Sequence, residues 1–545
     1  MEQYLESLLK NALTELGAPE GTTIKFEMPQ NPEHGDLATN LALTLAKPMK
    51  KAPRELALLL AASIKSDNDK IEEVNVAGPG FINIKLSRKY FIDGLRAMID
   101  QRETFGRTND HAGEIANIEW VSANPTGLLH AGHGRNICLG ATLTNLLEWS
   151  GYKVVREYYF NNAGNQMTNL AKSVRVRYLQ ALGDALELDE NGYRGAEIKA
   201  IAEEIVKEFG SEKRDAPLEF FQKFGEESNF ENIKKTLARL NIEHDIFFNE
   251  NSLYDSGAIK EVIAIFREKG LAYDKDGATW LKLSEMGGTE DRVIVKSSGE
   301  PTYRLPDICY HRDKLSRGYD LVVDIFGADH IATVSDVLAA TRALGLETDK
   351  VKVIIHQMVT FISGGELVKF SKRTGDSYSL DELLEDVGAD ACKFFFNMRA
   401  VGSHLEFDVE LAREQSDKNP VYYVQYAHAR IGSLLRMALQ EGLNVTPGGA
   451  PDSLEALVHP EEISLIKDLL RFPQVLRLSA QSFAPHHVCE YLREVASQFH
   501  KFYHECRIIG TPEPIGSARL QLALAAKQVL AGGCAVLGIA APERM

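Results

Sequence analysis

Between Glu114 and about Ala400, short apolar segments alternate with helical ones, and this alternation restricts the fold more than any other feature of the 545-residue chain. Apolar strands that are each followed by a helix are buried on both faces, which calls for a parallel sheet with crossover helices. The strand candidates are Ile115 to Val121, Lys153 to Tyr159, Leu321 to Phe326 and Val351 to His356. A charged, helix-rich block from Asn165 to Leu240 interrupts the alternation and reads as an insertion. Ahead of the sheet, helical patterns (Leu5 to Leu16, Ala38 to Ala46, Pro53 to Lys65) and strand patterns (Ile71 to Val76, Phe81 to Leu86) make a small α+β module. Behind it, nearly everything from Leu405 reads helical. The fold class is therefore α/β multidomain: an N-terminal α+β domain over 1–105, a parallel-sheet nucleotide fold over 112–400, and a C-terminal all-α bundle over 401–545.

The composition excludes several function classes. Acidic residues number 77 and basic ones 61, so no bulk positive field draws nucleic acid, and any polyanion must be met by shape and a few placed cations. The longest apolar runs, Leu56 to Ala62 and Cys534 to Ala541, fall short of the ~20 residues of a membrane span. The opening residues carry acids before any apolar core, unlike a signal peptide, so a cytoplasmic enzyme with no membrane partner is expected. Six scattered cysteines form no CxxC pair, and His486-His487-Val488-Cys489 reads as a structural or surface stretch, so no structural metal is assigned.

The most informative stretch runs Glu119-Trp-Val-Ser-Ala-Asn124-Pro-Thr-Gly-Leu-Leu-His130-Ala-Gly132-His133-Gly-Arg135-Asn136. A strand passes through a Pro-Thr-Gly turn into a helix, with His130 and His133 three residues apart at the helix start. Free N–H groups and the positive end of the helix dipole favour anions there, and two imidazoles on one face can bond phosphate oxygens. Gly132 between them would let a flat base approach the backbone. No Walker pattern follows. Downstream, Phe361-Ile-Ser-Gly-Gly-Glu-Leu-Val reads as a hairpin through Gly364-Gly365 that presents Lys369-Phe-Ser371-Lys372-Arg on a loop.

His130-Ala-Gly-His133 resembles the HIGH signature of class I aminoacyl-tRNA synthetases. Its flanks resemble arginyl-tRNA synthetases in particular, and Lys369 to Arg373 resembles the KMSKS signature of the class. The resemblance covers the whole chain and implies a Rossmann-type catalytic core. It implies arginine–tRNA ligation: L-arginine and ATP, with Mg2+, form arginyl-adenylate, and the 2′-hydroxyl of the 3′-terminal adenosine of tRNA(Arg) then takes the arginyl group. In this family it also implies that tRNA binds before the adenylate forms. His130, His133, Lys369 and Lys372 are the implied catalytic residues, with Gly132 and Ser371 joining His130, His133 and Lys372 on ATP. The arginine carboxylate is already a nucleophile at neutral pH, so the enzyme needs only to align it with the α-phosphorus and stabilise the leaving pyrophosphate.

For the amino acid, Asp291 to His311 resembles the family's stretch that reads the side chain. Tyr303 and Asp307, four apart, share a face if the segment is helical, and a carboxylate there takes a guanidinium through two parallel charge-assisted bonds. The resemblance adds Glu119, Asn124 and Asp329 as arginine contacts. Gly78 to Asn83 resembles the family's N-terminal module that grips the tRNA elbow, with Phe81 and Asn83 suited to stacking on and hydrogen-bonding an unpaired nucleotide, or alternatively a core Phe and a turn Asn. In the last domain Tyr422, Tyr426 and Arg430 fall on one helix face and suit splayed anticodon bases, or else core packing. The terminal Met545 joins that RNA surface by resemblance, and a monomer is expected. Two departures stand out: Asn162 occupies a position that usually carries Asp, and Phe370 replaces the usual Met. The competing readings are a class I synthetase for another amino acid and a catalytically idle tRNA-binding paralogue.

Overall fold

Leu37–Thr39, Ile71–Ala77 and Phe81–Leu86 make three strands (β1, β2, β3) of an antiparallel sheet in the order β1-β3-β2, with burial alternating along β1 and the central β3. The computed structural model describes residues 2–19, 21–29, 31, 34–64, 69–162, 164–288, 290–368 and 378–545. The helix expected from Ala38 begins at Leu41 instead, because Leu37 and Thr39 are spent on pairing with Ile84 and Ile82, and the Thr39 hydroxyl accepts the Leu41 N–H. A helix that the sequence reading did not name, Arg88–Gln101, is capped by Ser87, whose side chain accepts from the Tyr90 N–H at 3.1 Å. It buries Phe91, Ile92, Leu95 and Met98.

The chain divides into two compact units, neither of them a continuous stretch. The first comprises residues 1–105, 430–471 and 497–529, and the second 106–429, 472–496 and 530–545. The C-terminal helices, expected as one bundle, are thus shared between units, and the boundaries fall inside the helices Pro420–Gln440, His486–Glu505 and Ile515–Leu537. Within the first unit, a Cβ added at Gly94 would lie 2.7 Å from Leu470, so the Arg88–Gln101 helix packs closely on Pro460–Leu470. Among the described residues, Ile515–Leu537 is the one helix long and apolar enough to span a membrane. Counting uninterrupted apolar runs hid it, because Arg519, Gln521 and Lys527 break them; two-thirds of its most apolar window is buried inside the protein, as in a core helix.

The second unit is built on a five-stranded parallel sheet of Ile115–Glu119 (β4), Lys153–Phe160 (β5), Ile246–Asn249 (β6), a distant Leu321–Gly327 and Val351–His356. Between β6 and Leu321–Gly327, a three-stranded meander of Ala272–Lys275, Ala278–Leu281 and Arg292–Val295 (β7, β8, β9) packs with the helices Ala258–Glu268 and Arg304–Ser316 around Phe266, Leu281, Ile294 and Leu305. With Leu321–Gly327 as β10 and Val351–His356 as β11, the main sheet runs β11-β10-β4-β5-β6 and is parallel throughout. All four expected strands are in it. Strand order reverses direction between β4 and β10, and in such sheets ligands bind outside the carboxyl ends at that point. The insertion forms three helices, Gly164–Ala181, Ala196–Phe209 and Leu218–Arg239, with a core of their own that includes Leu170, Val174, Ile201 and Phe221.

The hairpin lies where expected: Val359–Ser363 (β12) pairs with Glu366–Leu367 (β13) across Gly364 (φ 61°) and Gly365 (φ 82°), a turn needing positive φ at both positions. Leu405–Asp408, expected as helical, is a strand (β14) running parallel to β12, with Leu405 and Phe407 buried on alternate positions.

Candidate active site

The carboxyl ends of β4 and β10 enclose a cavity of about 420 Å³, with Glu119, Asn124, Tyr303, Asp307 and Asp329 in its lining. All five predicted amino-acid contacts thus meet in one place. Asp307 sits in the first turn of the helix Arg304–Ser316 and Tyr303 immediately before it, with Tyr303 80% exposed at the mouth. Asp329 is also largely exposed, on the rim after β10.

The acids of this cavity are not equivalent. Glu119 is buried with one oxygen 2.5 Å from the Lys314 ammonium and the other accepting from the Ser122 hydroxyl at 2.9 Å. Lys314 also donates to Asp324 at 2.7 Å, and His311 Nε2 lies 3.1 Å from the same carboxylate. Burial alone would push Asp324 up, but Lys314 and His311 outweigh it and hold the carboxyl well below its usual range. Asp307 has no such partner: among the described residues nothing donates a hydrogen bond to its carboxylate. Burial pushes its pKa to about 7, with His311 opposing and the Glu250 and Glu119 carboxylates adding to the rise.

Glu250 is a functional candidate that the sequence reading missed. It follows β6, is nearly fully buried, lines the same cavity and accepts from the Tyr159 and Tyr254 hydroxyls. Burial raises its pKa against those two donors. Asp307 and Glu250 are thus the under-compensated acids of the cavity, which suits a cation. Lys314 was missed as well. Its only sequence signal was an otherwise ordinary charged helix, since its partners stand 195 and 10 residues away.

His130 and His133 stack with ring centroids 3.7 Å apart. The His130 backbone N–H donates to His133 Nδ1 at 3.2 Å, so Nδ1 is the acceptor nitrogen and the remaining hydrogen of a neutral His133 sits on Nε2. Burial, then His130, drops the His133 pKa to about 3, and burial lowers that of His130 too. The pair therefore offers N–H donors, not cations, at neutral pH. The space a Cβ would take at Gly132 is filled by the His130 ring, 2.9 Å away, so the glycine lets that imidazole lie against the backbone.

A second cavity of about 660 Å³ opens beside His130 and His133, bounded by Tyr193 and Arg194 of the insertion and by Ser379. Asn124 lines both cavities and is fixed by Gln166 and the Asn161 N–H. The residues Lys369, Ser371 and Lys372 lie outside the described residues. The chain that follows them returns at the histidines: His130 bridges Ser379, Ala131 N–H donates to Tyr378 O at 2.8 Å, and Leu380 N–H donates to Leu129 O at 2.8 Å.

The residues assigned to RNA are less gathered. In the first unit Phe81 and Asn83 share the outward face of β3, with Phe81 41% exposed, which removes the core-Phe alternative. Tyr422 and Tyr426 stack at 6.1 Å on the helix Pro420–Gln440, and Met545 shares an open pocket with Tyr422. Arg430 instead lies over the Tyr503 ring at 4.5 Å, with His500 in hydrogen-bond reach. Asn162 is buried and donates to Glu226 of the insertion at 2.8 Å, which accounts for an amide there: an aspartate would meet a carboxylate.

Residues 3–86 match the family described as arginyl tRNA synthetase N terminal domain, 96–397 the class I (R) tRNA synthetase catalytic domain, and 424–545 the DALR anticodon binding domain. An arginine–tRNA ligase of Salinibacter ruber is 47% identical over 100% of both chains, and one of Carboxydothermus hydrogenoformans is 43% identical over 97% of this chain and 96% of that one. Among solved structures, a putative arginyl-tRNA synthetase of Campylobacter jejuni (30% identical, TM-score 0.78) covers 84% of this chain with 100% of its own. Thermus thermophilus arginyl-tRNA synthetase (21% identical, TM-score 0.79) shares the fold over 100% of both. The chain belongs to the arginyl-tRNA synthetase family.

Proposed function

We infer that this arginine–tRNA ligase seats its amino acid with the guanidinium on Asp307 and Glu250, the α-amino end toward Glu119 and Asn124, and the α-carboxylate toward the histidine turn. The observation that carries the reading is the placement of Asn124: it belongs to both the acid-lined cavity and the cavity beside His130 and His133, so a molecule filling the first has one end at the second. Tyr303 would cover the guanidinium from the mouth and Asp329 would face the nucleotide side of the rim.

The chemistry follows from alignment. The arginine carboxylate attacks the α-phosphorus of ATP and pyrophosphate leaves, so the protein must hold the two in line and offer donors to phosphate oxygens. His133, neutral with its Nε2–H free, and His130 are suited to donate from one side. Lys369, Lys372 and Ser371 are assigned the other, a role supported by their position in the sequence and by the return of the following chain at His130. Among the described residues no three His, Cys, Asp or Glu side chains converge for a metal, so magnesium is proposed to arrive on the nucleotide phosphates, where it would neutralise charge when bound.

The terminal adenosine of tRNA then presents its 2′-hydroxyl to the adenylate. Phe81 and Asn83 are assigned to the tRNA elbow, and Tyr422, Tyr426, Arg430 and Met545 to the anticodon end; exposed or stacked aromatics at the first and second sets support this. A requirement for tRNA before adenylation is proposed from the family resemblance. The test is aminoacylation with arginine, lysine, glutamine and cysteine, and pyrophosphate exchange with and without tRNA. Charging with arginine alone, and exchange only when tRNA is present, are the expected results; exchange at full rate without RNA would remove the ordering.

A further inference from the structure

β4 does not leave the sheet through an ordinary loop. Val121 (φ 71°) and Ser122 (φ 47°) are consecutive non-glycine residues in the left-handed region, and the Ser122 N–H bonds back to Trp120 O at 3.1 Å. A three-residue closure around a central residue of positive φ is the rare, strained form of γ-turn, and a β-branched valine at such a φ is an outlier that persists only where its surroundings over-determine it. The group that holds it is Asn136, from the first turn of the helix His133–Trp149. Its Oδ1 accepts the Val121 N–H at 2.6 Å and its Nδ2 donates to Ile325 O at 2.9 Å, with His356 Nε2 at 3.4 Å. One buried carboxamide thus ties the end of β4 to the end of β10, across the point where the strand order reverses.

The geometry points to Asn136 as a positioning residue that sets the amino-acid cavity by holding the Val121–Ser122 turn in its strained form. This inference rests on reading that cavity as the seat of arginine. With the turn left-handed, the Ser122 hydroxyl reaches Glu119 Oε1 at 2.9 Å and accepts the Tyr159 N–H at 3.3 Å. Val121, Ser122 and Asn124 then line the cavity. A turn relaxed to negative φ would turn the Ser122 side chain away from Glu119 and shift Asn124, the residue common to both cavities.

The experiment is titration of the full chain with L-arginine and, separately, with ATP, alongside thermal melts. Asn136→Ala is expected to weaken arginine about tenfold while ATP changes less than about twofold, since releasing one strained residue is worth about one decade. Adding Val121→Gly to Asn136→Ala is expected to restore arginine to within about threefold of the wild type, because glycine takes positive φ with no Cβ penalty. A merely structural Asn136 predicts equal losses for both ligands and no rescue by glycine, and that result overturns the proposal. Val121→Pro leaves Asn136 intact but fixes a negative φ and removes the N–H. It should lose arginine, and normal arginine binding would overturn the proposal even if Asn136→Ala does not fold. Asp307→Asn is the control: if it too leaves arginine unaffected, the cavity reading itself fails, whereas its losing arginine while Asn136→Ala does not sinks only the role of Asn136.

Discussion

The Lys314 ammonium donates a 2.5 Å hydrogen bond to Glu119 in the cavity at the carboxyl ends of β4 and β10, with both side chains almost fully removed from solvent. Because Lys314 also holds Asp324, and His311 lies 3.1 Å from the same carboxylate, the deepest acids of the site already have partners within the protein. What remains for a ligand is the charge of Asp307 and Glu250, so the cavity attracts a cation without burying a large net negative charge when empty.

Removing the cation under the cavity should be costly. Lys314→Met leaves buried Glu119 with only the Ser122 hydroxyl and Asp324 with only His311, and should destabilise the second unit by about 3–5 kcal/mol, read from thermal or urea unfolding. The sign with pH is fixed by the shifts. Asp324 is held below its ordinary value, so its contribution is present above that ordinary value and is lost as pH falls through the depressed one. Lys314 is raised, so its contribution is full below its ordinary value and is lost as pH rises through the raised one.

Arginine binding should release a proton. The empty-site Asp307 titrates at about 7, and a guanidinium favours its charged form, so binding is strongest above 7 and falls by up to about tenfold per pH unit below it. Titration across pH 5.5–8.5 in two buffers of different ionisation enthalpy checks both the slope and the proton. Asp307→Asn should flatten the slope near neutral pH, leaving only the part Glu250 contributes, and weaken arginine by about 3 kcal/mol, with ATP affinity little changed.

Asn162→Asp installs the residue that the family resemblance implies at that position and should be harmful here. It would set a carboxylate against Glu226, whose pKa burial already raises. A loss of about 1–3 kcal/mol is expected near pH 8, diminishing toward pH 5 as the pair shares a proton. Melting temperatures at the two pH values check it, and Glu226→Gln in the same chain should restore stability.

Lys372→Ala should slow adenylate formation while leaving tRNA affinity nearly intact, because the residue is assigned to the phosphates alone. Single-turnover adenylation and filter binding of tRNA separate the two effects.

The parallel sheet and the histidine turn were legible because both are local: an apolar run followed by a helix, and two imidazoles flanking one glycine. Glu250 was not, because β6 is only four residues long and follows a charged helical block. Lys314 was hidden for a different reason. A lysine in a polar helix reads as exposed until distant Glu119 and Asp324 are brought beneath it by strand pairing. Asn136 stood in plain view beside the histidines, yet its role depends on a positive φ at Val121 that no valine announces. The sharing of the C-terminal helices between two units is likewise a matter of long-range contacts, which helical periodicity does not encode.

If the cavity reads positive charge through Asp307 and Glu250, the ratio of kcat/KM for tRNA charging with arginine and with citrulline, its neutral isostere, shows it without any substitution. A preference for arginine of at least about a hundredfold is expected, the worth of two charge-assisted bonds left unmade, collapsing toward parity in Asp307→Asn. Comparable charging of citrulline by the unaltered chain would contradict it.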